Sequence, residues 1–200
     1  MSGKPPKRIK SKPTWSDVKA KLNDFDRAGL TQLISDLYSY NKHNQTFLHA
    51  RFGLGVSPLE DYKQRIAQAL APDISRRNAN PSAAMARKAL SEYTKAIGDP
   101  MGILELRIFW CETAVNFSME LGFADVGYLD ALIRQYRDAC NAIPAIQEPL
   151  LTQYIKRLEN LRDDADMGYG VGDAMADILS DMLCNLPESM EEARVPMVEE

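Results

Sequence analysis

Residues 100–121, PMGILELRIFWCETAVNFSMEL, are apolar on nearly every side. A helix of that kind has no face to give to water, so other helices must surround it. The sequence marks both of its ends. Asp99 before Pro100 is a capping side chain followed by proline at the first helical position, and Gly122 is a stop. Ile103, Leu104, Leu106, Ile108, Phe109, Trp110, Ala114, Val115, Phe117 and Met119 are therefore expected to form the centre of the fold.

The flanking sequence supplies helices to cover it. Asp26 caps a segment with Leu30, Leu33, Ile34, Leu37 and Tyr38 at amphipathic spacing. Asn41 is the next stop or cap, and Phe47 and Leu48 lead to a glycine stop at Gly53. Ser57-Pro58 and Asn80-Pro81 repeat the cap-proline punctuation. The helix after the first carries Leu59, Tyr62, Ile66 and Leu70; the one after the second carries Met85, Ala89, Tyr93 and Ile97, with Gly98 as its stop. Later stripes are Leu129, Leu132, Ile133, Tyr136, Cys140 and Ile143, ended by Pro144; then Leu150, Leu151, Tyr154, Ile155 and Leu158; then Met175, Ile178, Leu179, Met182, Leu183 and Leu186. Period-2 alternation is missing throughout. The expectation is an all-α fold of eight or nine helices packed as antiparallel hairpins, with a HEAT-like curl as one arrangement. The helical domain is expected over residues 14–186, between a basic disordered tail, 1–13, and an acidic tail, 187–200.

No run of about 18 apolar residues is present, so no membrane span is expected. The basic N-terminus is followed by no apolar stretch of the secretory kind. Cys111, Cys140 and Cys184 are an odd, scattered set in helical surroundings. They fit neither a disulfide framework nor a structural zinc site, and a reducing cytoplasm is the expected setting.

The net charge of −4 conceals an asymmetry. Residues 1–95 hold 17 basic and 8 acidic side chains, and residues 96–200 hold 7 and 20. Such halves can attract each other, within one molecule or between two, or the first can face an anionic partner. The candidate anionic-partner surface is Lys4, Lys7, Arg8, Lys10, Lys12, Arg51, Arg65, Arg76 and Arg77. Phosphate binding there would be salt-sensitive and sequence-independent. No helix-turn-helix, zinc finger or RNA-binding signature accompanies it.

The stretch DDADMGYGVGD, residues 163–173, resembles a ligand loop when taken alone. A P-loop needs a lysine and a hydroxyl after its glycines, and neither is there. A dinucleotide loop needs a preceding strand and different glycine spacing. Neither calcium-loop register places oxygen ligands correctly. Asp163, Asp164, Asp166 and Asp173 leave a weak cation site as a minor alternative. The expected role is structural: Gly168 ends one helix in a left-handed turn, Gly170 lies in the turn, and Gly172-Asp173 opens the next helix, with Asp173 as its cap or first-turn acid. Tyr169 and Val171 would pack the turn onto the core.

Catalytic motifs are scarce. His43 and His49 lie six apart and do not share a helix face. No nucleophile elbow is present. On the apolar helix, Glu105 and Glu112 are seven apart and share one face, with Arg107 nearby. They could form a proton-transfer or metal site, or a structural pair with an arginine from another helix. The second reading is preferred, and no catalytic, metal or cofactor site is assigned.

Two segments carry a resemblance. LTQLISDLYSYNKHNQTFLHARF, with Leu33, Leu37, Tyr38, Phe47, Leu48, Arg51 and Phe52, and the GYGVGD turn together resemble a family of small bacterial helical proteins described only as a domain of unknown function. The resemblance covers about residues 25–186 and implies an all-helical fold in a bacterial cytoplasm. The first segment is also similar to helical stretches beside SWIM zinc fingers, but zinc ligands are missing here. Family members often carry an aromatic residue and a histidine where this chain has Val171 and Gly172, so a polar site at the turn is not implied. The functional expectation is a non-enzymatic interaction or scaffold module that docks a protein partner or itself, without a membrane. A nucleic-acid-associated accessory role is the alternative.

Overall fold

The computed structural model describes residues 12–54, 58–76 and 79–186. Both expected tails lie largely outside them. Among the described residues the fold is all-α, with nine α-helices and one short 3-10 turn. The chain divides into two compact units, Met1–Leu48 and His49–Glu200.

The first unit contains α1 (Trp15–Leu22), α2 (Arg27–Tyr40) and the start of α3 (Lys42–Phe52). Local signals set these helices. The Asp17 carboxylate accepts from the Thr14 N–H at 2.7 Å and the Thr14 hydroxyl at 2.8 Å. Asp26 caps α2 by accepting from the Gly29 N–H at 2.7 Å, as expected. Asn41 then caps α3 through the Asn44 N–H at 2.9 Å. Packing is another matter: α1 and α2 contain no buried residue.

The second unit holds α4 (Pro58–Leu70), α5 (Ala83–Ala96), α6 (Pro100–Leu121), α7 (Val126–Cys140), the 3-10 turn Ile143–Ala145, α8 (Leu150–Asp164) and α9 (Val171–Cys184). Sequence neighbours pack as pairs, α4 on α5, α6 on α7 and α8 on α9, and α6 also touches α4, α5 and α8. The apolar α6 is thus enclosed, as its composition requires. Leu104, Leu106, Ile108, Trp110, Cys111, Ala114 and Val115 are all buried. Each large aliphatic side chain removed from water contributes roughly 1.5–3 kcal/mol. Asp99 caps α6 through the Gly102 N–H at 2.8 Å, and Gly122 ends it at φ 62°.

Two buried tyrosines of α7 join this core to its neighbours. The Tyr128 hydroxyl donates to the Leu70 carbonyl at the end of α4, at 3.1 Å. The Tyr136 hydroxyl donates to the Leu158 carbonyl of α8, at 2.8 Å. Each spans the gap between helices while satisfying its own polar end. Gly102 lies beneath Tyr93 of α5, whose hydroxyl oxygen would stand 1.9 Å from a Cβ at that position.

Several sequence expectations are corrected. The cap of α5 is Ser82, which accepts from the Met85 N–H at 3.3 Å, and not Asn80. Pro81 precedes the cap because Ser82 has an extended backbone and its N–H donates to the Ala69 carbonyl at 2.7 Å. Met85, Met119 and Leu150 point to solvent rather than the core. The α7 helix ends at Cys140, before Pro144, which lies in the 3-10 turn. Ser57, read as a cap for α4, lies outside the described residues.

Candidate functional site

Glu105 and Glu112 do share one face of α6, and α8 presents Arg157 to both. The guanidinium donates to Glu112 from Nε at 2.8 Å and from Nη2 at 2.9 Å. Its Nη1 donates to Glu105 at 2.5 Å. Lys63 of α4 reaches the other side of Glu105, with Nζ 2.8 Å from Oε1. The two cations also cover aromatic rings. Arg157 lies 5.7 Å from the Tyr154 ring centroid and Lys63 lies 5.4 Å from that of Phe109. Three helices therefore meet at two carboxylates neutralised by two cations.

The electrostatics follow from that arrangement. Burial alone would raise the Glu105 carboxyl, but the hydrogen bonds from Arg157 and Lys63 outweigh it and hold it below the usual range. Burial likewise acts against the Arg157 charge, yet its two carboxylate partners push its pKa higher still. A carboxylate held ionised between two cations is a poor general base, because a useful base titrates near the working pH. The structural pairing with an arginine from another helix is what the chain contains. Arg107 is similarly engaged, donating to Asp138 and, at 3.1 Å, to the Gln135 side chain of α7.

At the glycine stretch, α8 ends at Asp164 with Ala165 as its cap, so Gly168 does not end that helix as expected; the left-handed turn is there, through Gly168 at φ 76°, Tyr169 at φ 55° and Gly170 at φ 69°. Gly170 occupies the cap position of α9, which begins at Val171, one residue before the expected Gly172. Gly172 is helical, and its lack of a side chain serves close approach: a Cβ there would lie 3.0 Å from the Ala165 carbonyl oxygen. Of the two roles expected for Asp173, it has that of the first-turn acid, and the cap position belongs to Gly170. There it favours the positive end of the helix dipole. Val171 is buried as expected, whereas Tyr169 is 75% exposed. Among the described residues no three His, Cys, Asp or Glu side chains gather in a metal-holding group.

The basic positions are scattered in role. Arg51 donates to the Ala96 carbonyl at the end of α5, at 3.1 Å. Arg65 pairs with Glu92 at 2.5 Å and stacks over Tyr62. Arg76 sits near Asp73 at 3.2 Å, and Lys12 is exposed. Lys4, Lys7, Arg8, Lys10 and Arg77 lie outside the described residues. Of the candidate surface, then, Arg51 and Arg65 each have one guanidinium nitrogen bonded to a protein oxygen.

Two features were not anticipated. One is a cleft of about 250 Å³ between the end of α7, the 3-10 turn and α9, with Arg137, Asn141 and Asp181 at its rim and Cys140, Ile178 and Met182 within. It falls below the usual range of small-molecule pockets, roughly 300–1,000 Å³. Burial raises the Cys140 thiol to about 12, so it is not a poised nucleophile. The other is the apolar stripe of α2. The sequence foretold its spacing, but not that Ile34 and Leu37 would each remain 49% exposed and Leu30 37%. On α1, Trp15 is 68% exposed and Val18 is 47%.

Among the described residues no helix is long and apolar enough to cross a membrane. No family model matches the chain, and neither does any curated protein or solved structure.

Proposed function

We propose that the chain is a non-enzymatic helical interaction module in which α1 and α2 form the docking arm and the second unit is a rigid scaffold. The observation that carries this reading is the contrast between two amphipathic patterns. In the second unit the stripes of α4 to α9 are spent on a core. In the first unit the stripe of α2 meets the same sequence rule and buries nothing. A helix of this length is marginal in water unless its apolar face is covered. Exposed contiguous apolar surface on that scale marks an interaction site.

Chemistry narrows the kind of partner. The only charged side chains of α2 are Arg27 and Asp36, so its surface offers little to a phosphate backbone or an anionic lipid layer. A protein surface with an apolar groove suits it better, read by the i, i+3, i+4, i+7 anchors of a helix. A reducing cytoplasm belongs to the same proposal. It is supported by the thiols of Cys111 and Cys140, which are buried between helices.

A triple substitution of Leu30, Ile34 and Leu37 to serine in the full chain tests the arm. The expected result is an unchanged melting temperature for the second unit, with loss of hydrophobic-dye binding. A fall of several degrees would mean that the stripe is core, and the proposal would be wrong.

A further inference from the structure

We propose that the outer face of α5 binds the phosphate backbone of a nucleic acid without reading its sequence. This surface belongs to the scaffold and is separate from the α2 stripe, so either reading can fail without the other.

Helical geometry sets the face. Ala86, Ala89, Leu90, Tyr93 and Ala96 turn one side of α5 into the core. At about 100° per residue, Arg87, Lys88 and Lys95 fall within an arc of about 100° on the opposite side. All three are exposed and, among the described residues, none has an ion-pair partner. Between them in that arc lie only the short side chains of Ala84 and Ser91. The single acid of α5, Glu92, is bonded to Arg65 of α4 at 2.5 Å. Arg51 extends the strip: it is exposed, and its Nη1 donates to the carbonyl of Ala96, the residue after Lys95. The strip is about 12 Å long from Arg87 to Lys95. Phosphates on one strand of a duplex repeat every ~3.4 Å along the axis, so it spans about four of them.

Charge is also segregated within the second unit. The α9 helix carries Asp173, Asp177 and Asp181, all exposed, and no cation. It packs on α7 and α8, whereas α5 packs mainly on α4 and α6. Neighbouring helices are about 8–10 Å apart, so the acidic face lies beyond the screening length of roughly 8 Å at physiological salt. The basic face therefore acts on a polyanion by itself, in spite of the net charge of −4.

Two other anionic partners fit this face poorly. A helix lying on a membrane needs a full apolar side to insert, and Met85 is the one large exposed apolar side chain of α5. A phosphopeptide needs cations that converge on one phosphate, and here they are strung along a convex helix. Contacts of this kind position a nucleic acid through its backbone and carry no base readout.

The test uses the full chain. Fluorescein-labelled probes of about 20 nucleotides, duplex DNA and single-stranded RNA, are titrated by anisotropy between about 50 and 200 mM salt. Binding should weaken with salt. Arg87→Gln, Lys88→Gln and Lys95→Gln together should make the logarithmic slope shallower by about three for the duplex and about two for the single strand. Affinity at the lowest salt should fall about tenfold or more, with circular dichroism unchanged. The probe bound more tightly identifies the source of the phosphates. Asp173→Asn, Asp177→Asn and Asp181→Asn change the net charge equally in the opposite sense and should leave affinity and slope nearly as they were. If they tighten binding as much as the α5 variant loosens it, net charge alone is at work and the proposal is overturned. It is overturned as well if neither probe binds at the lowest salt, if the α5 variant keeps the full slope, or if the chain binds phosphatidylserine vesicles and neither probe.

Discussion

The Arg157 guanidinium grips the Glu112 carboxylate with two parallel hydrogen bonds, at 2.8 and 2.9 Å, and still has a third donor for Glu105. This fork geometry is available to arginine and not to lysine. It ties α8 to α6 at two points two turns apart.

Replacing Arg157 with methionine keeps most of the packing against Tyr154, leaves the Glu112 carboxylate without its cation and leaves Glu105 with Lys63 alone. Breaking such a pair from one side is costly, and the expected loss is about 2–4 kcal/mol. For a unit of this size that corresponds to a melting temperature lower by roughly 5–15 °C. Removing both charges with the arginine, as Glu105→Gln and Glu112→Gln on top of Arg157→Met, should recover part of the loss. A triple variant less stable than the single one would count against an electrostatic origin.

Acid should act at the same place. The Glu105 pKa is lower folded than its ordinary value of 4.5. Its contribution to stability is therefore complete above that value and is lost as the pH falls below it through the folded pKa. Urea midpoints measured from pH 6 down to pH 3 should decline, and the decline should be shallower in Glu105→Gln. Parallel curves for the two proteins would refute the assignment.

The glycine turn makes a prediction that separates its members. Gly170 has φ 69° with open space around it, so alanine costs about 1 kcal/mol through backbone strain, and asparagine costs less. Gly172 has a helical backbone but a carbonyl oxygen in the way, so alanine costs roughly 1–2 kcal/mol and asparagine more. Thermal melts of the four variants should show the two positions ranking asparagine oppositely to alanine.

Thiol chemistry probes the core. Cys111 and Cys140 are buried and burial raises both, whereas Cys184 is exposed on α9. A thiol-reactive dye should label one cysteine in the native protein within minutes and the other two only on unfolding. Fast labelling of all three would mean that the α6–α7 contact opens readily.

Much of this fold is legible along the chain because its signals are local. Asp26, Asp99, Gly98 and Gly122 act on backbone groups within five residues, and the sequence places them correctly. By local form alone Asn80-Pro81 competes with Ser82 as the cap of α5. What decides between them is a hydrogen bond from the Ser82 N–H to Ala69, which lies on another helix. The sequence gives the type of partner for Glu105 and Glu112, an arginine from another helix, but not which arginine. Arg157 borders the stripe of Leu151, Ile155 and Leu158, yet only the packing of α8 on α6 aims it inward. Spacing likewise gives the stripe of α2 without saying whether anything covers it, because periodicity reports the capacity to bury a face and not its burial.

Gly102 has a consequence for how the helices find each other. The Tyr93 hydroxyl occupies the space where a side chain at 102 would begin. One turn further along α6 in that direction stands Leu106, which would fill it. Along this stretch of α6 the ring therefore has a notch to enter, and α5 is indexed to α6 like a pin in a slotted shaft. Sliding by a turn is blocked by volume rather than by lost attraction, so this pair of helices has a hard stop built into its assembly.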